Sequence, residues 1–220
     1  MSGDLAGDDE PGESWNAPAR QGNSQRVVTG SGTDATAVID GFTVTGAAAH
    51  AMQTELGSPA VRRCRFVDNA QAGIYAWDCN SVLTECVFAR NGQQLSYGAF
   101  TSVRGNPTLT DCVFAENHGG GIPGNGSLDL LHCSFVGNTG TLKAGVQFAG
   151  DLTARKCRFA SNKGTAVHGA GRTTLTDCEF TENSFRSARV VEAWGSLILE
   201  GCEFVGNSGS GMSGGAVAIC

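Results

Sequence analysis

Cys112-Val-Phe114-Ala-Glu-Asn117 and, one period on, Cys133-Ser-Phe135-Val-Gly-Asn138 are two copies of the frame that decides the fold of this 220-residue chain. The same Cys-x-Phe-x-x-Asn frame starts at Cys64, Cys86, Cys157, Cys178 and Cys202, and ends at Asn69, Asn91, Asn162, Asn183 and Asn207. The cysteines follow one another at intervals of 22, 26, 21, 24, 21 and 24 residues. A period of that size belongs to stacked-coil architectures. Cys and Phe stand two apart and so share one face of a strand, while the residue between them is Arg, Val, Ser or Glu and faces away.

Working outward, an apolar residue stands three before each Cys: Val61, Leu83, Leu109, Leu130, Ala154, Leu175 and Leu199. It marks a second short buried segment, and the pair between it and the Cys makes a bend. A third apolar segment follows each Asn, as in Gly73-Ile74-Tyr75-Ala76-Trp77, Gly121-Ile122, Gly145-Val146, Ala166-Val167 and Gly215-Ala216-Val217. Three short strands thus close each coil. Coils of 21–26 residues, paired in parallel at about 4.8 Å per rung, predict an all-β, right-handed parallel β-helix with ladders of Cys, Phe and Asn. The asparagines are expected at turns, in αL geometry, with their amides bonded to backbone and to the next rung. Ala37–Val44 fits the frame as a degenerate earlier coil with Ile39, Phe42 and Val44 inward. A leucine-rich helical solenoid has a similar period, but these units lack an uninterrupted helical stretch. Residues 1–26 read as a polar segment, the remnant of an earlier coil, and 27–220 as the solenoid with an open C-terminal end.

A net charge of −6 and a pI near 5.1 leave no basic stripe for nucleic acid or an acidic membrane surface. No stretch predicts a membrane-spanning segment, and Met1 to Gln25 has no apolar centre of a secretion signal. Seven of the nine cysteines recur at one inward position, which is a packing pattern rather than a metal site; bonds between neighbouring rungs would need suitable geometry. Cys79 and Cys220 lie off that ladder, and Cys79 is expected in a loop, where its thiol would be exposed.

The Phe-x-x-Asn units, with Gly214-Gly-Ala-Val217 and Gly119-Gly-Gly-Ile122, resemble the repeats of the polymorphic outer-membrane protein family. Val27 to Gly46 is similar to the opening coil of bacterial right-handed β-helix surface proteins of the choice-of-anchor type, which share the pectin-lyase-like fold. The resemblance covers roughly residues 27–219 and implies an extracellular or cell-surface location. It is specific for fold and weakly specific for function. Two departures stand out: the N-terminal region starts abruptly without a secretion signal, and Gly-Gly-Ala-Val-Ala-Ile-Cys220 stops without an anchor or cap. Open coil ends would allow head-to-tail self-association.

The third strand of each coil offers the best binding surface. With Ile74, Ala99, Val146, Val167 and Val191 inward, the residues expected to point out are Tyr75, Phe100, Gln147, His168 and Glu192, with Trp77 and Trp194 two positions further along. Exposed aromatics beside polar groups suit a polysaccharide ligand; otherwise they pack under the loops. Glu179 and Glu203 occupy the outward position of consecutive coils, so they stand one rung apart. That matches a retaining glycosidase, whose carboxyls lie about 5–5.5 Å apart, and stacked carboxylates also suit calcium, but any adjacent outward pair shares this spacing. Arg62, Arg63 and Arg65 would meet an acidic polysaccharide or pair with Glu85. His50, His118, His132 and His168 share no spacing, so no metal site is expected. His168-Gly-Ala-Gly-Arg172 lacks the aspartates of a polygalacturonase, and the motifs of alginate epimerases and pectate lyases do not occur. The sequence therefore points to a non-catalytic adhesion or scaffolding module, with a carbohydrate-active protein as the alternative and another surface protein or a polysaccharide as the partner.

Overall fold

The computed structural model describes residues 1–9, 19–92, 97–185, 189–209 and 217–219. Cys220 and the Gly214–Ala216 part of the last third-strand segment lie outside them. The described chain winds as a solenoid of about seven turns, and its strands fall into three all-parallel sheets. One eight-stranded sheet carries the Phe residues, from Thr43–Thr45 to Glu203–Val205; a second carries the Leu positions, from Val38–Asp40 to Leu197–Glu200. The third, long sheet has eleven strands, of which the broadest is Thr139–Phe148.

Identical letters lie opposite one another. Phe66, Phe88, Phe114, Phe135, Phe159, Phe180 and Phe204 pair in sequence along the axis. Their rings stack at 4.7–5.1 Å with interplanar angles of no more than 15°. That separation is the rung spacing itself, so the parallel ladder sets the stacking distance. The Leu column from Val61 to Leu175 is buried against it.

The asparagine amides form a continuous chain. Asn117 Nδ2 donates to Phe88 O of the preceding coil (3.0 Å) and to Asn138 Oδ1 of the next (2.9 Å). Its Oδ1 accepts from the backbone N–H of Asn91 (3.0 Å) and from Asn91 Nδ2 (3.2 Å). Both donors and both acceptor sites of a fully buried amide are thereby used. The same pattern continues from Asn69 to Asn207.

The αL geometry expected of these asparagines belongs instead to the residue before each one. Asp68, Arg90, Glu116, Ser161 and Glu182 have φ of 53–56°, and Gly137 and Gly206 complete the column. A second such column precedes the Cys positions: Arg63, Glu85, Asp111, His132, Lys156 and Asp177 have φ of 47–54°. The side-chain bonds on either side of each corner hold it there, because most of these residue types gain nothing from αL on their own. Charges alternate in part along the columns, and Arg90 makes two 2.7 Å bonds to the Asp68 carboxylate.

The third corner is lined with glycine. Gly57, Gly105, Gly126, Gly150, Gly171 and Gly195 each stand seven residues before a ladder cysteine. The backbones approach so closely that a Cβ at Gly150 would lie 1.6 Å from Gly126 O, and one at Gly126 2.0 Å from Gly105 O. Cys79 takes this place in its own coil. Contrary to the expectation of an exposed loop thiol, it is buried, and its Sγ donates to Trp77 O at 2.9 Å. The corner turns its side chain toward the interior, where the thiol fills space that glycine leaves open.

The eight described cysteines are free thiols. Ladder thiols such as Cys86 and Cys178 donate to a carbonyl of the Leu segment one coil back, at 3.5 and 3.4 Å.

Two substitutions separate these contributions. Asn117→Ala strands the buried N–H groups of Asn91 and should cost about 3 kcal/mol in urea unfolding. Glu116→Gly, one residue earlier, removes αL strain and should raise stability by about 0.5 kcal/mol, whereas Glu116→Val should lower it by more than about 1 kcal/mol. A loss of under ~1 kcal/mol for Asn117→Ala would mean that the amide chain does not hold the coils.

Candidate functional site

Variation concentrates on the outer face of the long sheet. There Gln53, Tyr75 and Thr101 lie in one outward column, and Glu55, Trp77 and Val103 in a second. The first column continues through Pro123, Gln147, His168 and Glu192. Tyr75, Gln147, His168 and Glu192 therefore share it.

Phe100 does not. It pairs with Ile74, is fully buried, and packs against Phe88 with ring centroids 6.3 Å apart. Ala99 O accepts from both Gly73 N (2.8 Å) and Ile74 N (3.2 Å), as Val190 O does from Ala166 N and Val167 N, so Ala99 lies beside Gly73 and the inward place opposite Ile74 falls to Phe100. Burying a phenyl ring stabilises that choice, and Thr101 takes the outward place.

Two clusters form on this face. In the first, the His50 ring stacks on Tyr75 at 4.9 Å and meets the edge of Tyr97, also at 4.9 Å. Ala72 N donates to His50 Nδ1 (3.3 Å), which fixes the neutral ring with its proton on Nε2. Burial, with a smaller contribution from Arg26, lowers the His50 pKa to about 4. Burial also raises the Tyr75 phenol, helped by Tyr97 and Glu55. Gln53 Nε2 donates to Glu55 Oε1. Gln53 Oε1 and Thr101 Oγ1, on either side of Tyr75, are buried without a hydrogen-bond partner. Next to them Trp77 is exposed, and the Arg104 guanidinium lies 5.9 Å from the centroid of its ring, a cation–π contact.

In the second cluster, His168 Nδ1 lies 3.1 Å from Glu192 Oε2, and Trp194 Nε1 donates to Glu192 Oε1 at 3.4 Å. The His168 and Trp194 rings meet edge to face at 5.2 Å. His168 is buried, whereas Trp194 is 61% exposed. The two tryptophans share a column but stand five rungs apart, about 24 Å. They belong to two subsites rather than to one.

Glu179 and Glu203 lie directly opposite one another on the Phe sheet, with Arg158 opposite Glu179 on its other side. They are exposed and sit on a different sheet from the aromatic clusters. The three arginines do not make one patch. Arg62 lies on the Leu sheet and Arg65 on the Phe sheet; Arg63, in the corner between them, pairs with Asp40 rather than with Glu85. Asp40 lies on the coil before, opposite Arg62, within reach of the αL corner. Tyr97, Arg104, Gln53 and Thr101 complete the first cluster without having been visible as site residues. The signal available was register: Gln53 and Thr101 occupy the offset of Tyr75 in the neighbouring coils. Among the described residues no helix is long and apolar enough to cross a membrane.

The lowered His50 pKa has a definite sign in stability. Between about pH 6.5 and about 4 the unfolded chain binds a proton that the folded chain does not, so stability falls as pH drops through that window and levels off below it. His50→Phe keeps the ring and should remove this slope from urea unfolding measured at a series of pH values. An NMR titration of wild-type His50 with a midpoint near 6.5 would contradict the assignment.

Comparison with known proteins agrees with the geometry. A search of curated proteins and one of solved structures each give no match. The family model described as right handed beta helix region matches residues 22–140 and 96–218, nearly the whole solenoid. With its three parallel sheets and stacked coils, the chain belongs to the right-handed β-helix family.

Proposed function

We propose that this chain is a non-catalytic module of an extracellular or cell-surface protein, in which the β-helix is a rigid rod and the outer face of the long sheet makes contact with a partner. The observation that carries this reading is the contrast between faces. The Phe and Leu sheets repeat almost unchanged, while the long sheet alone carries strands of two to ten residues and the two aromatic clusters. Binding residues on variable segments held by a constant scaffold are the usual arrangement of a recognition module. The resemblance to polymorphic outer-membrane and choice-of-anchor proteins supports the surface location, and another surface protein is the partner it favours. Biotinylation of intact source cells should label the protein; recovery of all of it from the protected, unlabelled interior would overturn the location.

A second reading, binding of a polysaccharide along the same face, is favoured by Trp77 with Arg104 over its ring and by Trp194 with Glu192 at its indole N–H. Flat apolar rings beside charged groups suit sugar rings and their hydroxyls. On a glycan array, Trp77→Ala and Trp194→Ala should each weaken binding of a short oligosaccharide at their own subsite by roughly tenfold, as the loss of about 1.4 kcal/mol of stacking implies. A chain long enough to bridge both subsites should lose more from either change. Silence of the folded wild-type protein across all glycans would leave the protein partner.

A further inference from the structure

The dipeptide Asn-Gly occurs twice in the chain, as Asn91-Gly92 and Asn125-Gly126, and the fold gives the two copies opposite surroundings. This pair is open to a reaction of the chain with itself: the glycine nitrogen attacks the side-chain amide carbon of the asparagine, because no Cβ stands in its way. At Asn91 every group the reaction needs is engaged. The residue is fully buried, its Nδ2 donates to Phe66 O (2.8 Å) and Asn117 Oδ1 (3.2 Å), and its Oδ1 accepts from Asn69 N (3.2 Å) and Asn69 Nδ2 (2.9 Å). Gly92 N, the nucleophile, donates to Gln71 O (2.6 Å) and Asn69 O (3.3 Å).

Asn125 stands in the open, at the end of the long-sheet strand Ile122–Gly126. Pairing with the next strand, Thr139–Phe148, ends where Gly124 lies opposite Phe148, so a ladder flanks Asn125 on one side only. On that side the register with Phe100–Gly105 shifts between Ser102 and Gly105, and Asn125 faces two residues, Val103 and Arg104. A bulge of this kind interrupts the ladder and re-aims the side chains beside it. The Arg104 N–H donates to Asn125 Oδ1. That bond polarises the amide carbon and is placed to hold the oxyanion that forms when the carbon is attacked. The leaving group, Asn125 Nδ2, makes no hydrogen bond among the described residues. Asn80 carries a similar bond from Asn106 N (2.8 Å), but Ser81 follows it, and the Ser81 side chain hinders the attack.

We propose that Asn125 is a deamidation site, and that the asparagine ladder shields Asn91 from the same reaction. Gly126 N bonds to Asn125 Cγ as its proton passes to solvent; the Cγ–Nδ2 bond breaks, and Nδ2 takes up a proton and leaves as ammonia. Water then opens the succinimide ring at either carbonyl, giving aspartate, or isoaspartate with the backbone routed through the former side chain. Both products place a new negative charge at the bulge that carries Arg104, whose guanidinium lies over Trp77. That consequence holds whatever the face binds. Peptide mapping of the full chain during incubation at mildly alkaline pH should show a mass gain of about one dalton at Asn125. The gain should be divided between aspartate and isoaspartate and should appear at least about ten times faster than at Asn91. In urea, which releases both dipeptides, the two rates should converge. Asn125→Gln, which cannot close the succinimide ring, should abolish the product at this position and leave the circular dichroism spectrum unchanged. Equal rates at Asn91 and Asn125 in the folded protein would overturn the proposal. So would an unmodified Asn125 under conditions in which the unfolded chain reacts, or a rate difference that persists undiminished in urea.

Discussion

A buried primary amide has two donors and two acceptor sites, and in this solenoid each interior asparagine fills all four from the coils above and below. Asn138 is bonded to Asn117 on one side and to Asn162 on the other, and it also reaches back to Phe114 O. No coil can satisfy its own asparagine. Each rung is therefore correct only when its neighbours are, and the column makes a one-dimensional stack cooperative along its axis. The αL residue before each asparagine keeps that amide in line, while the spacing of the parallel ladder sets the stacking of the phenylalanines.

The other two corners use different chemistry. Beside the cysteines, a thiol replaces the amide as a weak donor to backbone carbonyls. Burial pushes the Cys64 and Cys202 thiols up. Such thiols stay protonated at neutral pH and act as small apolar fillers. At the glycine corner backbones are in close contact, and side chains one residue on add bonds between coils: Asn80 N donates to Ser58 Oγ, Asn106 N to Asn80 Oδ1, Ser127 N to Asn106 Oδ1 and Arg172 N to Asp151 Oδ1. The long sheet, freed from any repeated side chain on its outer face, is where loops vary in length and where aromatic and titratable groups gather.

The cysteine, phenylalanine and asparagine columns were legible because stacking demands the same letter on every rung. The Leu segment was legible from its fixed offset. The αL columns were not, since Arg63, Glu85, Asp111 and His132 share no chemistry and take their geometry from the bonds beside them. The glycine column was readable in principle: Gly105, Gly126, Gly150, Gly171 and Gly195 repeat at 21, 24, 21 and 24 residues, the same intervals as the cysteines that follow them. Phe100 was misplaced by one residue because its coil is the longest, 26 residues, and has no landmark between Asn91 and the third strand. Of the candidate face, the shared columns of Tyr75 with His168 and of Trp77 with Trp194 followed from the period. The partners Tyr97 and Arg104 did not, because they come from segments whose position depends on loop closure rather than on repetition.

The stacking of equivalent residues is tested most directly by nuclear Overhauser contacts among the phenylalanine rings of isotope-labelled protein. The account predicts that Phe114 shows ring-to-ring contacts with both Phe88 and Phe135, residues 26 and 21 positions away in the chain, and that every interior ring behaves likewise. Rings whose contacts are confined to residues near them in sequence would contradict it.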